Sequence, residues 1–378
     1  MSASPSPKST DGAQHALIRP VAVVYCEGNF GKIDGKTANG LVRQSEIYAI
    51  ASVIDSTCAE SDAGLVLTGT PNGVRMVADL DEALAPGNGN PDVFIVGLAP
   101  TSGLLSSEER NVILGAIGRR LHIVSGLHEF LTEDAEFVAA AHASGVLISD
   151  VRKPRAKKDL RMFTGRIRQV TCPRIAVLGT DGAIGKRTTA TILTRVLNEH
   201  GIRAVMVSTG QTGLIQGARY GVALDAIPAQ FVTGELEAAV LEAFDSEDPD
   251  VIIVEGQGAL SHPTYLSSTA ILRGSQPQGV VLQHAPTRMC ASDFPDFPMP
   301  TAASEIELIE LFAKTKVIGL TLNHEGMTDD DVKAAIAIYE ADLGIPVTDA
   351  LWRSGDHLVS MVLGAFPSLQ PKTPLDVH

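Results

Sequence analysis

Short, uninterrupted apolar runs recur along this chain, and they limit its fold more than any other feature. In runs such as Val93–Val96 and Val251–Val254, every side chain is apolar. A strand with one face in water alternates apolar and polar residues, whereas a strand covered on both faces does not. The runs therefore predict parallel sheets with helices on both faces. All are far shorter than the roughly 18 apolar residues of a membrane span, so we predict no membrane association.

Helical segments separate the apolar runs, so strand and helix alternate along the chain. The predicted strands are Val21–Tyr25, Leu65–Leu67, Val93–Val96, His122–Val124, Val146–Ile148, Ile175–Leu178, Ala204–Val207, Val251–Val254, Val280–Gln283 and Val317–Leu322. The predicted helices are Ser106–Arg120, Asp134–Ala143, Lys186–His200, Glu235–Phe244, Glu305–Lys314 and Asp330–Leu343. We predict an α/β fold with two doubly wound domains, each with roughly five strands or more.

The chain has 378 residues, which is enough for two domains of the usual size. A basic segment at residues 152–168 holds eight Lys and Arg residues and one acid, and Pro154 interrupts any helix there. We predict a disordered tail at 1–16, an N-terminal domain at 17–160 and a C-terminal domain at 171–378. The basic segment is either a solvated linker or a cationic wall beside an anionic ligand.

Charge and cysteine content exclude several classes of function. The formal net charge of −14 would repel a phosphate backbone, so we predict a small-molecule substrate and no nucleic-acid partner. The four cysteines form no CxxC pair, which argues against a zinc cluster and favours a reducing compartment. The N-terminal residues lack the apolar segment of a signal peptide. We therefore expect a cytoplasmic protein.

The segment at residues 175–189 carries the strongest chemical signal, because a strand, a glycine-bearing loop and a helix start follow one another. Glycines let successive backbone N–H groups face one anion, and the helix N-terminus and a lysine add positive charge. The Gly-x5-Gly-Lys spacing is one residue longer than an ordinary P-loop and resembles the loop of dethiobiotin synthetase. The predicted phosphate-binding residues are Gly179, Thr180, Asp181, Gly182, Gly185, Lys186, Arg187, Thr188 and Thr189.

Arg187 departs from the ATPase pattern at this loop. It stands where an ATPase needs Ser or Thr to hold magnesium, and Thr188 comes one residue too late. The loop therefore favours a phosphate group bound without obligatory metal, such as the pyrophosphate or ribose phosphate of coenzyme A.

Polar residues follow other predicted strands at the same sheet edge, where ligands of parallel sheets bind. Glu255 ends a buried strand, and His262 lies seven residues further on; either could act as an acid or base, although a lone His is often structural. Gln211 and Arg288 are stronger ligand candidates than Asn323. In the N-terminal domain, the loop after the first strand either clamps a substrate carboxylate through Lys36 and Arg43 or is a mobile surface loop.

Eight motifs in this order resemble the D-glutamate N-acetyltransferase family over about residues 20–365. They are GKTANGLVR, VIDSTCAESDAG, GLAPTSG, SGLHEFL, DVRKP, GTDGAIGKRTT, TGQTG and EGQGALSHP. The resemblance implies a Rossmann-like N-terminal domain and a P-loop C-terminal domain. It also implies acetyl transfer from acetyl-CoA, as co-substrate, to the amine of D-glutamate, in D-amino-acid breakdown.

The residues themselves leave the roles open. The base is Glu255 or His262, loop N–H groups would stabilise the oxyanion, and Arg288, Arg43 or Lys36 would bind the substrate carboxylates. Gln211 is a further substrate-binding candidate, and no metal is required. We expect a homo-oligomer, namely a dimer. The alternatives are an ATP-dependent ligase or kinase of the dethiobiotin synthetase type, which Arg187 disfavours, and a nucleotide-sensing binding module.

Overall fold

A computed structural model describes residues 19–99, 103–292 and 294–369, so the predicted tail at 1–16 lies outside the described residues. The N-terminal part forms a parallel sheet of six strands: β1 (Val21–Tyr25), β2 (Ala49–Ile54), β3 (Arg75–Val77), β4 (Val93–Val96), β5 (His122–Ser125) and β6 (Ile148–Asp150). Its helices are α1 (Lys36–Arg43), α2 (Ala63–Thr68), α3 (Leu80–Ala83), α4 (Ser107–Gly118) and α5 (Ala135–Ser144). The strand order is β3-β2-β1-β4-β5-β6, a doubly wound arrangement.

The C-terminal part forms a second parallel sheet of seven strands. In chain order its first five strands are β7 (Arg174–Gly179), β8 (Ala204–Ser208), β9 (Tyr220–Gly221), β10 (Val251–Glu255) and β11 (Gly279–His284). A separate two-stranded sheet of β12 (Cys290–Ala291) and β13 (Phe294–Pro298) follows in the chain. The last two strands of the seven-stranded sheet are β14 (Lys316–Leu322) and β15 (Val347–Asp349). The helices are α6 (Lys186–Glu199), α7 (Gln211–Gln216), α8 (Ala229–Glu247), α9 (Ser267–Ser275), α10 (Ala302–Ala313), α11 (Asp329–Leu343) and α12 (Gly355–Ala365). The sheet order is β15-β14-β11-β7-β10-β8-β9.

The predicted α/β class with two parallel sheets is confirmed, and both sheets are buried by helices as the apolar runs required. All six side chains of β7 are buried, and so are all five of β10. Three hydrophobic clusters fill the space between sheets and helices. The predictions that the structure contradicts concern short strands.

The prediction of a strand at Leu65–Leu67 is wrong, because this run lies in helix α2. The Asp62 side chain accepts hydrogen bonds from the backbone N–H groups of Gly64 and Leu65 and so begins the helix. Leu65 remains 46% exposed, so its apolar character did not indicate a buried strand. The predicted strand at Val146–Ile148 lies two residues too early, since β6 covers Ile148–Asp150.

Helices α1 and α7 join the two parts of the molecule. The hydroxyls of Thr37 in α1 and Thr212 in α7 are hydrogen-bonded at 3.0 Å, and Gln216 Nε2 donates to the carbonyl of Gly40 at 2.6 Å. Ile215 of α7 belongs to the hydrophobic core of the N-terminal sheet. These contacts bring the carboxyl ends of both sheets together. No helix among the described residues is long and apolar enough to cross a membrane; the cytoplasmic location and the dimer stay predictions.

Candidate active site

A cleft of about 650 Å³ lies where the carboxyl ends of the two sheets meet. The N-terminal part contributes the loop after β1, one side of α1 and the residue Arg152. The C-terminal part contributes the segments that follow β7, β8, β10, β11, β14 and β15. Ligands of parallel sheets bind at this edge, so the cleft is the candidate active site.

The glycine-bearing loop after β7 has the geometry of an anion cradle. Gly185 has a φ of +101°, a conformation that favours glycine, and helix α6 begins at the next residue, Lys186. Lys186 is only 5% exposed, and its Nζ donates to the backbone carbonyl of Asp181. The predicted residues Gly182, Gly185, Lys186, Arg187, Thr188 and Thr189 all line the cleft.

The first three predicted residues of this loop, Gly179, Thr180 and Asp181, are not part of the cleft lining. Asp181 is fully buried, and its Oδ2 accepts hydrogen bonds from Arg288 Nη1 at 3.2 Å and from the Ser292 N–H at 2.9 Å. The Thr180 hydroxyl lies 2.9 Å from His284 Nδ1. These contacts of Thr180 and Asp181 support the loop on the side away from the cleft, and a role of the three residues in ligand binding stays a prediction.

Arg187 connects the loop to both the neighbouring strand and the other sheet. Its Nε lies 3.8 Å from Oε1 of Glu255 at the end of β10. A Cβ added at Gly40 of α1 would come within 2.5 Å of Arg187 Nη2, so glycine leaves room for the guanidinium there. The cation therefore occupies the space beside Glu255 in which the ATPase pattern would place a metal-binding hydroxyl.

Glu255 lines the cleft but is nearly buried, with 5% exposure. Its Oε2 accepts hydrogen bonds from the Ser208 hydroxyl and from the Thr209 N–H, the latter at 3.1 Å. Burial raises the pKa of Glu255, against the opposing attraction of Arg187. Among the described residues, no hydrogen bond reaches Oε1, so this oxygen is the one positioned to accept a proton.

The second predicted acid or base, His262, does not line the cleft. Its Nδ1 accepts hydrogen bonds from the N–H groups of Thr264 at 3.2 Å and Tyr265 at 3.4 Å, which places the ring proton on Nε2. The ring stacks on Tyr265 with centroids 4.4 Å apart, and Nε2 lies 4.0 Å from Asp181 Oδ1. The structure thus favours the structural alternative for His262.

All four predicted substrate-binding residues line the cleft. Lys36 and Arg43 stand seven residues apart in α1, a helix where the sequence suggested a mobile loop as one alternative. No described residue forms a hydrogen bond or ion pair with the Arg43 guanidinium. No described residue hydrogen-bonds the Gln211 amide. Arg288, in contrast, is already engaged by Asp181 and by Glu325, whose Oε2 lies 2.7 Å from Arg288 Nη2.

Sequence reasoning missed Arg152 as a site residue. It is 6% exposed, lines the cleft, donates through Nε to the carbonyl of Gly126, and forms an ion pair with Asp225. Burial lowers its pKa to about 10, so it stays charged at neutral pH. Of the basic segment 152–168 that the sequence offered as a cationic wall, only Arg152 lines the cleft. The sequence signal that could have identified it is its position at the start of the basic segment.

The cleft is positive in a negative protein. Among the described residues, its lining includes seven Lys and Arg side chains and four Asp and Glu side chains. Each acid is already paired: Asp225 with Arg152, Glu255 with Arg187, Glu325 with Arg288, and Asp349 with His324. The cations of the lining outnumber its acids, so the cleft favours an anionic ligand. Within the described ranges, no three His, Cys, Asp or Glu side chains form a candidate metal site, and metal independence stays a prediction.

Burial lowers the pKa of Lys186 to about 7. A phosphate at the loop would favour the ammonium form and raise this pKa. Between the two pKa values the complex holds more protons than the free protein, so affinity should fall as pH rises above 7. We expect coenzyme A binding at pH 8 to take up a proton, measured by calorimetry in buffers of different ionisation enthalpy.

The matched variant for this experiment is Lys186→Met, which removes the titrating group and keeps an unbranched side chain. Its binding should take up no proton at pH 8. Equal proton uptake by the parent and the variant would show that Lys186 is not the group that responds to the ligand.

The comparisons with known proteins agree with this architecture. Residues 56–154 match the profile described as a domain of unknown function (DUF1611_N), Rossmann-like domain, and residues 161–359 match the corresponding DUF1611_C P-loop domain. A crystal structure of a DUF1611 family protein from Anabaena variabilis ATCC 29413 superposes with a TM-score of 0.84. It is 31% identical and covers 92% of this chain and 100% of its own.

Two curated relatives carry the name D-glutamate N-acetyltransferase. The protein from Tritonibacter scottomollicae is 30% identical over 287 residues, which is 74% of this chain and 83% of the relative. The protein from Pseudoalteromonas sp. is 31% identical over 274 residues, which is 71% of this chain and 80% of the relative. The resemblance inferred from the motifs is thereby confirmed, and the chain belongs to the DUF1611 family, with a Rossmann-like N-terminal domain and a P-loop C-terminal domain.

Proposed function

We propose that this protein is an N-acetyltransferase that moves an acetyl group from acetyl-CoA to the amine of D-glutamate. The carrying observation is the positive cleft, in which a P-loop and the unpaired Arg43 face the same space while every acid of the lining is paired. The names of the two curated relatives supply the acceptor and the reaction.

The P-loop supports a role in holding the phosphates of acetyl-CoA. Lys186 and the first N–H groups of α6 face the cleft and would neutralise a pyrophosphate or the ribose phosphate. Arg187 supplies positive charge beside Glu255, where magnesium chemistry would need a Ser or Thr. This substitution supports transfer without ATP and magnesium.

The acetyl transfer step has simple requirements. The acceptor ammonium loses a proton to a base, the amine attacks the thioester carbonyl, a C–N bond forms, and the C–S bond breaks. The thiolate then takes up a proton and leaves as coenzyme A. Glu255 is the better base candidate of the two, because it lines the cleft, its pKa is raised by burial, and its Oε1 accepts no hydrogen bond from the described residues and has Arg187 Nε 3.8 Å away as its ion-pair partner. His262 is sequestered behind the loop.

The N-terminal domain supports recognition of the acceptor. Lys36 and Arg43 present two cations from α1, and Gln211 adds an amide from the start of the neighbouring helix α7. A dicarboxylate could contact both cations of α1, whereas a monocarboxylate could contact only one of them. The acceptor side chain therefore matters as much as its α-carboxylate.

The purified protein should release thiol from acetyl-CoA on addition of D-glutamate, with EDTA present and ATP absent. D-Alanine should react with a kcat/KM lower by about tenfold or more, since it lacks one charge-assisted contact. A thiol-trapping assay across D- and L-amino acids measures both, with ATP and magnesium run in parallel.

An opposite pattern would identify the alternative function. If no amino acid releases thiol, but one triggers ATP hydrolysis that EDTA abolishes, the acetyltransferase proposal is wrong. The ligase of the dethiobiotin synthetase type would then stand, with Glu255 at the strand end beside the P-loop strand as its supporting observation.

A further inference from the structure

The two ends of the cleft differ in chemistry. Around the ends of β8 and β10 and along α1, the lining is charged and polar, with Lys36, Arg43, Arg187 and Glu255. At the ends of β14 and β15 the lining combines the polar residues Asn323, His324, Glu325 and Asp349 with the apolar residues Leu322, Ala350 and Leu351, and we call this the apolar end. The P-loop lies between these ends, because β7 separates β10 from β11 in the sheet order. One ligand bound at the P-loop can therefore meet both environments.

An ordered aromatic pair lies at the apolar end. The rings of His324 and Trp352 stack with centroids 3.8 Å apart and planes at 10°. Asp349, only 1% exposed, fixes both partners: its Oδ2 accepts from His324 Nδ1 at 2.8 Å, and its Oδ1 accepts from the N–H groups of Leu351 and Trp352, each at 2.8 Å. The orientation of the pair is thus set by a buried carboxylate.

This pair leaves apolar surface open beside the cleft. Leu351 is 58% exposed and Trp352 is 42% exposed. His324 and Leu351 line the cleft directly, and Trp352 lies next to the lining, stacked on His324. We call His324, Leu351 and Trp352 the aromatic rim. Large exposed apolar groups at the edge of a cleft are typical of ligand-binding surfaces.

The aromatic rim is connected to the P-loop by direct contacts. Asn323, the neighbour of His324, donates through Nδ2 to the carbonyl of Ile184 in the loop at 3.0 Å. Glu325, the neighbour on the other side, binds Arg288, which donates to the carbonyl of Gly182 at 3.3 Å. A phosphate held at the loop would therefore have the rim as its immediate surroundings on this side.

We propose that the aromatic rim binds the adenine base of coenzyme A, so that the pantetheine arm extends the opposite way, towards Glu255. This inference rests on the proposed function for the identity of the nucleotide. A purine has a flat π-face that stacks on aromatic side chains and tolerates an apolar neighbour such as Leu351.

Sheet geometry agrees with this orientation. From β7 to β14 and β15 there are two to three strand spacings, about 10–14 Å, a distance that the ribose and phosphates between the P-loop and an adenine base can span. β10 adjoins β7 on the other side, so an arm leaving the phosphates in that direction reaches Glu255 and the charged end of the cleft.

Trp352 provides a direct test, because it is the single tryptophan of the chain. Adenosine 3′,5′-bisphosphate carries the base and phosphates without pantetheine, whereas 4′-phosphopantetheine carries a phosphate without the base. We expect saturable quenching of Trp352 fluorescence by the first compound and not by the second. Quenching by both to the same extent, or by neither while calorimetry shows coenzyme A binding, would overturn the proposal.

Kinetics of two acetyl donors give the second test. Trp352→Ala should raise the KM for acetyl-CoA at least about tenfold, the effect of losing one stacked base. It should leave the KM for S-acetyl-4′-phosphopantetheine unchanged, because that donor has no base. Trp352→Phe should retain most of the affinity for acetyl-CoA. The matched control is Leu311→Ala, which removes another exposed apolar side chain, 78% exposed and outside the cleft lining.

The outcomes separate this inference from the proposed function. An equal loss with both donors would show a merely structural role for Trp352 and would contradict the rim as a base site. Quenching by adenosine 3′,5′-bisphosphate in a protein that transfers no acetyl group would support the base site and contradict the acetyltransferase. If the protein transfers acetyl groups but Trp352→Ala changes the KM of both donors equally, the result would support the acetyltransferase and contradict the base site.

Discussion

Replacing Lys186 by alanine should raise the KM for acetyl-CoA about ten- to a hundredfold and leave the fold intact. A charge-assisted hydrogen bond to a phosphate contributes about 1.5–3 kcal/mol, and Lys186 is the buried cation at the start of α6. Inside the protein its Nζ donates only to the carbonyl of Asp181, so the free protein loses little. Steady-state kinetics with saturating D-glutamate measures the effect, and circular dichroism checks the fold.

Two variants serve as controls for Lys186→Ala. Lys186→Arg keeps the charge and should recover part of the affinity, although its planar group fits the loop less well. Lys333→Ala removes a lysine that is 61% exposed and pairs only with Asp329 and Asp330 on α11, so it should behave as the parent. A folded Lys186→Ala protein with unchanged acetyl-CoA kinetics would exclude the loop from coenzyme binding.

The buried strands were predictable from the sequence because each is an uninterrupted apolar run. β4 and β10 are buried on both faces. The criterion failed at Leu65–Leu67, an apolar run in the partly exposed helix α2. β2 and β3 were missed because neither is a fully buried apolar run. In β2, Ala49, Ile50 and Ala51 are only half-buried, and β3 is three residues long and begins with an exposed arginine. β3 is also an edge strand, so it depends on its pairing with β2.

The short helices at the domain contact were also beyond sequence reasoning. α1 has eight residues, includes Gly40, and lacks a side-chain N-cap. In isolation such a segment would be a poor helix, since glycine costs about 1 kcal/mol relative to alanine. It is stabilised by packing against α7, through Thr37–Thr212 and the bonds of Gln216. Gly40 is also where the Arg187 guanidinium fits, so the weak helix former is a requirement of the site.

The site was predictable where it is local in sequence and unpredictable where it is assembled by the fold. The P-loop is one segment, and its spacing indicates phosphate binding by itself. Arg152 and Asp225 are 73 residues apart, and the His324–Asp349 pair joins the ends of two strands. Asp181 and His262 show the opposite limit, because their polar character predicted ligand contact, whereas both are buried and neither is part of the cleft lining.

Glu255→Gln should abolish acetyl transfer without lowering the free energy of unfolding. Burial raises the pKa of Glu255, so the folded protein disfavours the charged carboxylate and should tolerate a neutral amide at neutral pH. The amide can keep the hydrogen bonds from Ser208 and Thr209, so the variant isolates the loss of charge beside Arg187. Arg187 is 19% exposed, so water can solvate part of its guanidinium once the carboxylate is gone. Urea unfolding measures the stability.

The double variant Arg187→Met/Glu255→Gln distinguishes the pair from its parts. Burial lowers the pKa of Arg187 and raises that of Glu255, so for both groups desolvation outweighs their mutual attraction. Removing both charges together should therefore leave the free energy of unfolding no lower than in the parent, and the effect should differ from the sum of the two single changes. Activity should remain absent, because the cleft has lost its candidate base. Additive effects on stability in this cycle would mean that Arg187 and Glu255 do not interact. Arg187 could then not be explained as a cation that pairs with Glu255 in place of a metal ion.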